Sequence, residues 1–262
     1  MNRITEKFKE IRGKGDKALI AYFTAGLPSV KGTVEIIRKA EDSGADIVEI
    51  GVPFSDPIAD GPIIQYASSL SLEKGTNTDS VFEICRELKR SVNIPYLLMT
   101  YYNPVYRYGI ERFAKRCEET GVSGIIIPDL PFEESKEARE IMKKKGICLI
   151  NFLTPFTPER RAKRIIEGAD GFIYFVTSAG VTGPREKFSE KMWEKLKDIK
   201  KMTDIPVAAG FGISGKAQVK EIKRYVDGVI IGSFFVKKVI DGKIKELWKE
   251  IKEIKEALVK EN

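Results

Sequence analysis

The chain has 262 residues, close to the length of about 250 typical of one (β/α)8 barrel, with 42% hydrophobic and 32% charged residues. Its net charge is +7, but Lys and Glu alternate at i, i+4 spacing through Lys243–Lys260, the pattern of a solvated helix face rather than of a nucleic-acid groove. Histidine is absent, which removes the commonest general base and the commonest metal ligand together.

The Lys/Glu bias is the composition reported for proteins of hot environments. A net positive field favours the approach of a phosphorylated metabolite. Cys85, Cys117 and Cys148 lie in apolar surroundings without CxxC spacing and read as buried free thiols of a reducing compartment. Met1–Gly15 is charged throughout, unlike a signal peptide, and no apolar run reaches membrane-spanning length. A soluble, cytoplasmic protein is the expectation.

In chain order, Met1–Arg12 reads as an extra amphipathic helix that would plug the N-terminal end of a barrel. Eight apolar, β-branched or aromatic runs follow: Ala18–Thr24, Asp46–Val52, Pro95–Tyr101, Gly124–Pro128, Cys148–Leu153, Gly171–Thr177, Pro206–Gly210 and Gly228–Gly232. Helical periodicity separates them, as at Val30–Ser43, Asp79–Ser91, Gly109–Thr120, Glu133–Lys145 and Glu159–Glu167. Thr157-Pro158 reads as an N-cap with Pro at the first helical position, and Ser214-Gly215 as a cap after the seventh strand. The last helix, Lys237–Lys260, should break near Asp241-Gly242. Strands alternating with helices predict a parallel sheet covered on both faces. Eight units without a composition break predict α/β architecture, a (β/α)8 TIM barrel with an extra N-terminal helix, as a single domain over residues 1–262. An open doubly wound sheet is the alternative, but the first strand ends in Ala25-Gly26-Leu27-Pro28 rather than in a GxGxxG turn.

Active sites of such barrels lie at the C-terminal ends of the strands. In the second strand, alternation places Ile47, Glu49 and Gly51 on one face and Val48, Ile50 and Val52 on the other. The apolar face packs on helices, so Glu49 points into the barrel, where burial raises its pKa toward the range of a group that both donates and accepts a proton. A buried salt bridge is the competing reading of Glu49. The loop Pro53–Pro62 holds three prolines, Pro53, Pro57 and Pro62, with carboxylates at Asp56 and Asp60. It reads as a positioning segment or a partner surface, against an ordinary long loop. Glycines close the last three strands: Ala179-Gly180-Val181-Thr182-Gly183, then Gly210-Phe211-Gly212-Ile213-Ser214, then Gly232-Ser233, where Ser233 opens a helix. Backbone N–H groups and a helix N-terminus in register there predict a phosphate site.

The stretch Glu49-Ile50-Gly51-Val52-Pro53-Phe54-Ser55-Asp56-Pro57-Ile58-Ala59-Asp60-Gly61-Pro62 closely resembles the signature of tryptophan synthase α subunits. The resemblance continues through Tyr22–Pro28, Asn103-Pro104, Pro128-Asp129-Leu130-Pro131, Ser178–Gly183, Gly210–Ser214 and Gly232-Ser233, and so covers nearly the whole chain. It implies retro-aldol cleavage of indole-3-glycerol phosphate to indole and glyceraldehyde 3-phosphate. Glu49 and Asp60 would be its catalytic carboxylates. Tyr174 would stand near Glu49, Tyr22 and Phe211 would flank the indole, and Gly183, Gly212, Gly232 and Ser233 would hold the phosphate. Thr182-Gly183 would form the core of a lid over Ser178–Lys191. The chain departs from common family residues at Ser178, where a basic residue is usual, and at Tyr22, where phenylalanine is usual. No cofactor is implied in this chain. Pyridoxal phosphate is implied only in a partner β subunit, in an α2β2 assembly that receives the indole and is contacted through Pro53, Phe54, Asp56, Pro57, Asn103 and Pro104. Competing functions are another phosphate-binding barrel enzyme, an inactive barrel kept as an activating partner, and a lyase working alone.

Overall fold

The computed structural model describes residues 2–177, 190–210, 212–213 and 215–260. Helix α1 (Arg3–Gly13) precedes strand β1 (Ala18–Thr24). Then follow β2 (Ile47–Gly51), β3 (Tyr96–Met99), β4 (Gly124–Ile126), β5 (Cys148–Leu149), β6 (Asn151–Leu153), β7 (Ile173–Val176), β8 (Val207–Gly210) and β9 (Gly228–Ile231). All pairings are parallel, in the order β5-β4-β3-β2-β1-β9-β8-β7-β6. β5 and β6 are two halves of one run interrupted at Ile150, one half pairing with β4 and the other with β7. That single run therefore closes the sheet, and the nine pieces occupy eight barrel positions. The eight runs expected from sequence coincide with these positions.

All seven residues of β1 and all five of β2 are buried, as expected of strands with helices on one side and a filled barrel on the other. The N-terminal helix does seal the barrel bottom. Ile4, Phe8 and Ile11 are buried along one stripe of α1, and the Phe8 ring lies 5.6 Å from Phe172. A Cβ on Gly124 or Gly228, the first residues of β4 and β9, would meet Ile4 at 2.8 Å and Phe8 at 3.4 Å respectively. Asn2 caps the helix by accepting from the Ile4 N–H, while its amide donates to the carbonyls of Ser123 and Gly146.

Two sequence-level details need correction. The expected helix Glu133–Lys145 is a 3-10 turn, Phe132–Glu134, followed by α7 (Lys136–Lys144). Ser135 Oγ donates to the Phe132 carbonyl at 2.7 Å, closing that turn before the α-helix begins. Pro158 is the N-cap of α8 (Glu159–Glu167) rather than its first helical residue, because the Thr157 hydroxyl accepts the Thr154 N–H and is not available as a cap. Asn103 and Pro104, which the sequence placed only after the third strand, lie in a short helix, α5 (Tyr102–Tyr108). The C-terminal break holds: α11 (Ser233–Ile240) and α12 (Ile244–Leu258) meet at Asp241–Lys243, where Gly242 adopts φ +68°. Cys85, Cys117 and Cys148 are buried free thiols.

Candidate active site

A cavity of about 1070 Å³ opens at the C-terminal ends of the strands. Glu49, Asp60, Tyr22, Tyr174, Gly212, Gly232 and Ser233 all line it. The structure thus brings together every predicted site residue it describes. Ser178, Thr182, Gly183, Phe211 and Ser214 lie outside the described residues.

Glu49 sits in the middle of β2 in register with Tyr22 of β1 and Leu97 of β3. It is 1% exposed, and its Oε2 has no hydrogen-bond partner among the described residues. No cation is bonded to it, so the salt-bridge reading fails for the described surroundings. Burial, followed by the nearby charge of Asp60, pushes its pKa from 4.5 up to about 8. The carboxyl is therefore protonated at neutral pH yet close to its titration point.

Asp60 is 4% exposed although it belongs to a loop. Its N–H donates to the Pro57 carbonyl at 3.0 Å, and its own carbonyl accepts from Gln65 Nε2 at 2.9 Å. One carboxylate oxygen accepts from the Tyr101 hydroxyl at 2.9 Å. Burial raises its pKa from 3.8 to about 6, and the Tyr101 hydrogen bond works against that rise. Burial thus raises both carboxyls, Glu49 to about 8 and Asp60 to about 6.

Tyrosines wall this pair. Tyr22 and Tyr174 are buried, and burial raises both phenols, with the two carboxylates adding to the shift. Each phenol leans diagonally over a glycine of the neighbouring strand. A Cβ on Gly51 would overlap the Tyr22 hydroxyl, and one on Gly210 the Tyr174 hydroxyl. Gly210, grouped by sequence with the phosphate glycines, is therefore explained by room for Tyr174. Phe152 packs its ring 5.0 Å from Tyr174.

Beside Tyr22, where a Cβ on Gly232 would meet the Tyr22 side chain at 3.4 Å, α11 starts at Ser233 with Gly232 as its N-cap and no side chain capping its first turn. Those N–H groups, the Ser233 hydroxyl and Gly212, which adopts φ +78°, border the same cavity. Two cations also line it. Arg161 is held by Glu133 in a two-pronged pair at 2.9 and 3.0 Å, and Lys237 pairs with Asp241 at 3.0 Å. Sequence reasoning missed Tyr101, Arg161 and Lys237. Tyr101 could have been suspected only from its place at the end of the third strand run.

A parallel barrel whose strand ends enclose two buried carboxyls and an uncapped helix N-terminus in one cavity is the architecture of a barrel enzyme. The family model for the tryptophan synthase alpha chain matches residues 8–261. The tryptophan synthase alpha chain of Aquifex aeolicus is 41% identical over 260 residues, covering 98% of this chain and 99% of that protein. The one from Methanosarcina barkeri is 45% identical over 260 residues, with 99% and 95% covered. A solved structure from Aquifex aeolicus VF5 superposes with a TM-score of 0.93 at 39% identity, covering 99% of this chain and all of that one. Tryptophan synthase from M. tuberculosis in an aminoacrylate-bound form gives 0.89 at 30% identity, with 98% and 100% covered. The chain belongs to the tryptophan synthase alpha chain family, and is a lyase of tryptophan biosynthesis.

Proposed function

We propose that Glu49 and Asp60 perform the cleavage of indole-3-glycerol phosphate to indole and glyceraldehyde 3-phosphate, the reaction of this family. The observation that carries the residue roles is two buried carboxyls lining one cavity, Glu49 with an Oε2 that has no partner among the described residues and Asp60 accepting from Tyr101, both raised by burial. Protonated Glu49 gives its proton to indole C3, which turns the ring into an electron-poor indolium. Ionised Asp60 accepts the ring N–H and stabilises the positive charge developing there. Glu49, now a carboxylate, takes the proton of the C3′ hydroxyl. The C3–C3′ bond breaks, its electron pair returns to the ring, and the side chain leaves as the aldehyde. Acid–base chemistry suffices for every step, so this chain needs no cofactor of its own.

Tyr22 and Tyr174 shape the slot for the ring, with Phe211 as a further flank. The phosphate belongs at Gly212, Gly232 and Ser233; the family resemblance adds Thr182 and Gly183, which lie outside the described residues. Both groups of described residues border one cavity, which supports this placement.

Pyridoxal phosphate belongs to a partner β subunit that receives the indole, in an α2β2 assembly. Exposed apolar side chains at the cavity mouth support a docking face there: Ile58 is 75% exposed and Phe156 71%, both bordering the cavity, and Tyr106 on α5 is 68% exposed. Asp56 and Asn103 are exposed beside them, with Phe54, Pro57 and Pro104 half-buried. Pro53 is buried within this chain, so its contribution is to the shape of the loop rather than to the contact itself.

The test is release of indole from indole-3-glycerol phosphate, with and without a β subunit. Glu49→Gln should abolish release while leaving substrate binding measurable, and Asp60→Asn should depress turnover by about a hundredfold or more. Near-normal turnover of Glu49→Gln would remove the acid–base assignment. A wild-type rate unchanged by the β subunit would favour a lyase working alone.

A further inference from the structure

We propose that Tyr101 is a positioning residue: its hydroxyl holds Asp60 with one carboxylate oxygen turned away from substrate and the other free to receive the ring N–H. This rests on the reading of Asp60 as the group that meets the indole nitrogen.

Tyr101 immediately follows the third barrel strand, β3, and is 3% exposed. Its phenol oxygen makes two hydrogen bonds. It accepts the Ala59 backbone N–H at 3.0 Å and lies 2.9 Å from Asp60 Oδ2. A phenol carries one proton. With the oxygen accepting from Ala59, that proton is committed to Asp60, and the direction of the bond is fixed. Donation favours the carboxylate over the carboxylic acid, which is the state the mechanism requires. The same oxygen grips the backbone one residue before Asp60, so a single group sets both the carboxylate and the segment bearing it. Phe54, at the start of that segment, stacks on the Tyr101 ring with centroids 5.3 Å apart.

The groups facing Asp60 come from several elements. Glu49 projects from β2, Tyr22 from β1 and Tyr174 from β7, and each is coupled to the Asp60 charge. Asp129, which accepts the Tyr102 N–H, adds its charge at Tyr101. Among these described neighbours Tyr101 is the one with a hydrogen bond to the Asp60 carboxylate. Removing its hydroxyl should therefore make Asp60 harder to ionise.

The experiment is the pH dependence of kcat/KM for indole release by the full chain with saturating β subunit. In Tyr101→Phe the acid limb should move up by about one unit, so that kcat at pH 7 falls by about twofold and at pH 6 by about fivefold, with KM nearly unchanged. Replacing the Tyr101 phenol by the more acidic 3-fluorotyrosine keeps the shape and strengthens the donor, so the acid limb should move down. An acid limb unmoved in both proteins overturns the proposal, as does a rise in KM at constant kcat. If Tyr101→Phe does not fold, the fluorinated protein alone decides. Asp60→Asn separates the two levels: near-normal turnover there removes the role of Asp60 itself, whereas severe loss there with an unmoved limb in the Tyr101 proteins removes only the positioning role.

Discussion

Replacing Glu49 by glutamine should change how stability depends on pH, independently of any effect on catalysis. The Glu49 carboxyl is raised from 4.5 to about 8 in the folded chain. Unfolding at pH 7 exposes it to water, where it ionises and releases a proton. Its contribution to stability is thus fully present below pH 4.5 and is lost progressively as pH rises toward 8. Each unit in that window costs about 1.4 kcal/mol, so the wild type loses about 3 kcal/mol between pH 5 and pH 7 from this group alone. Glutamine titrates in neither state. The melting temperature of Glu49→Gln should therefore gain on the wild type by about 6 °C between pH 5 and pH 7, at about 2 °C per kcal/mol for a chain of this size. The new amide brings an extra N–H into a site where Oε2 already has no partner among the described residues, at a cost of about 1–3 kcal/mol. That cost is the same at every pH and leaves the slope untouched. Calorimetric melting of both proteins from pH 5 to pH 8 is the assay. A gap that stays constant across the range would refute the buried, neutral Glu49 on which the mechanism depends.

Two further outcomes are expected. Because Asp60 must be ionised and Glu49 protonated, kcat/KM should be bell-shaped, falling below about 6 and above about 8. A rate that still climbs at pH 9 would exclude Glu49 as the proton donor to the ring. At the cavity mouth, Asp56→Lys should weaken binding to a β subunit by about tenfold as read by titration calorimetry, with indole release by the chain alone unaltered. Undiminished affinity would move the docking face elsewhere.

The barrel and its chemistry were legible to different depths. Strand runs of five to seven mostly apolar residues survive as a one-dimensional signal, and period-two alternation sufficed to turn Glu49 inward, where it is 1% exposed. Asp60 was different. Its direction depends on a hydroxyl 41 residues further along the chain, and no local periodicity encodes that contact. The same holds for the two leaning tyrosines. A glycine at 51 or 210 reads as a turn or a phosphate contact until the neighbouring strand is laid beside it in register. The interruption at Ile150 was invisible for a related reason. Composition marks the run as strand, but which half pairs with which neighbour is decided by closure of the sheet. Likewise, the late start of α7 follows from Ser135, whose hydroxyl donates to the Phe132 carbonyl and accepts from Arg139, closing the preceding turn.

The diagonal fit of Tyr22 over Gly51, and of Tyr174 over Gly210, also bears on how this site can vary between relatives. Each phenol and its glycine share one volume across two strands, so the glycine cannot grow while the phenol stands, whereas the phenol can shorten by itself. A larger residue at 51 is admissible only after the side chain at 22 has shortened, and the order of those two changes decides whether the intermediate is viable.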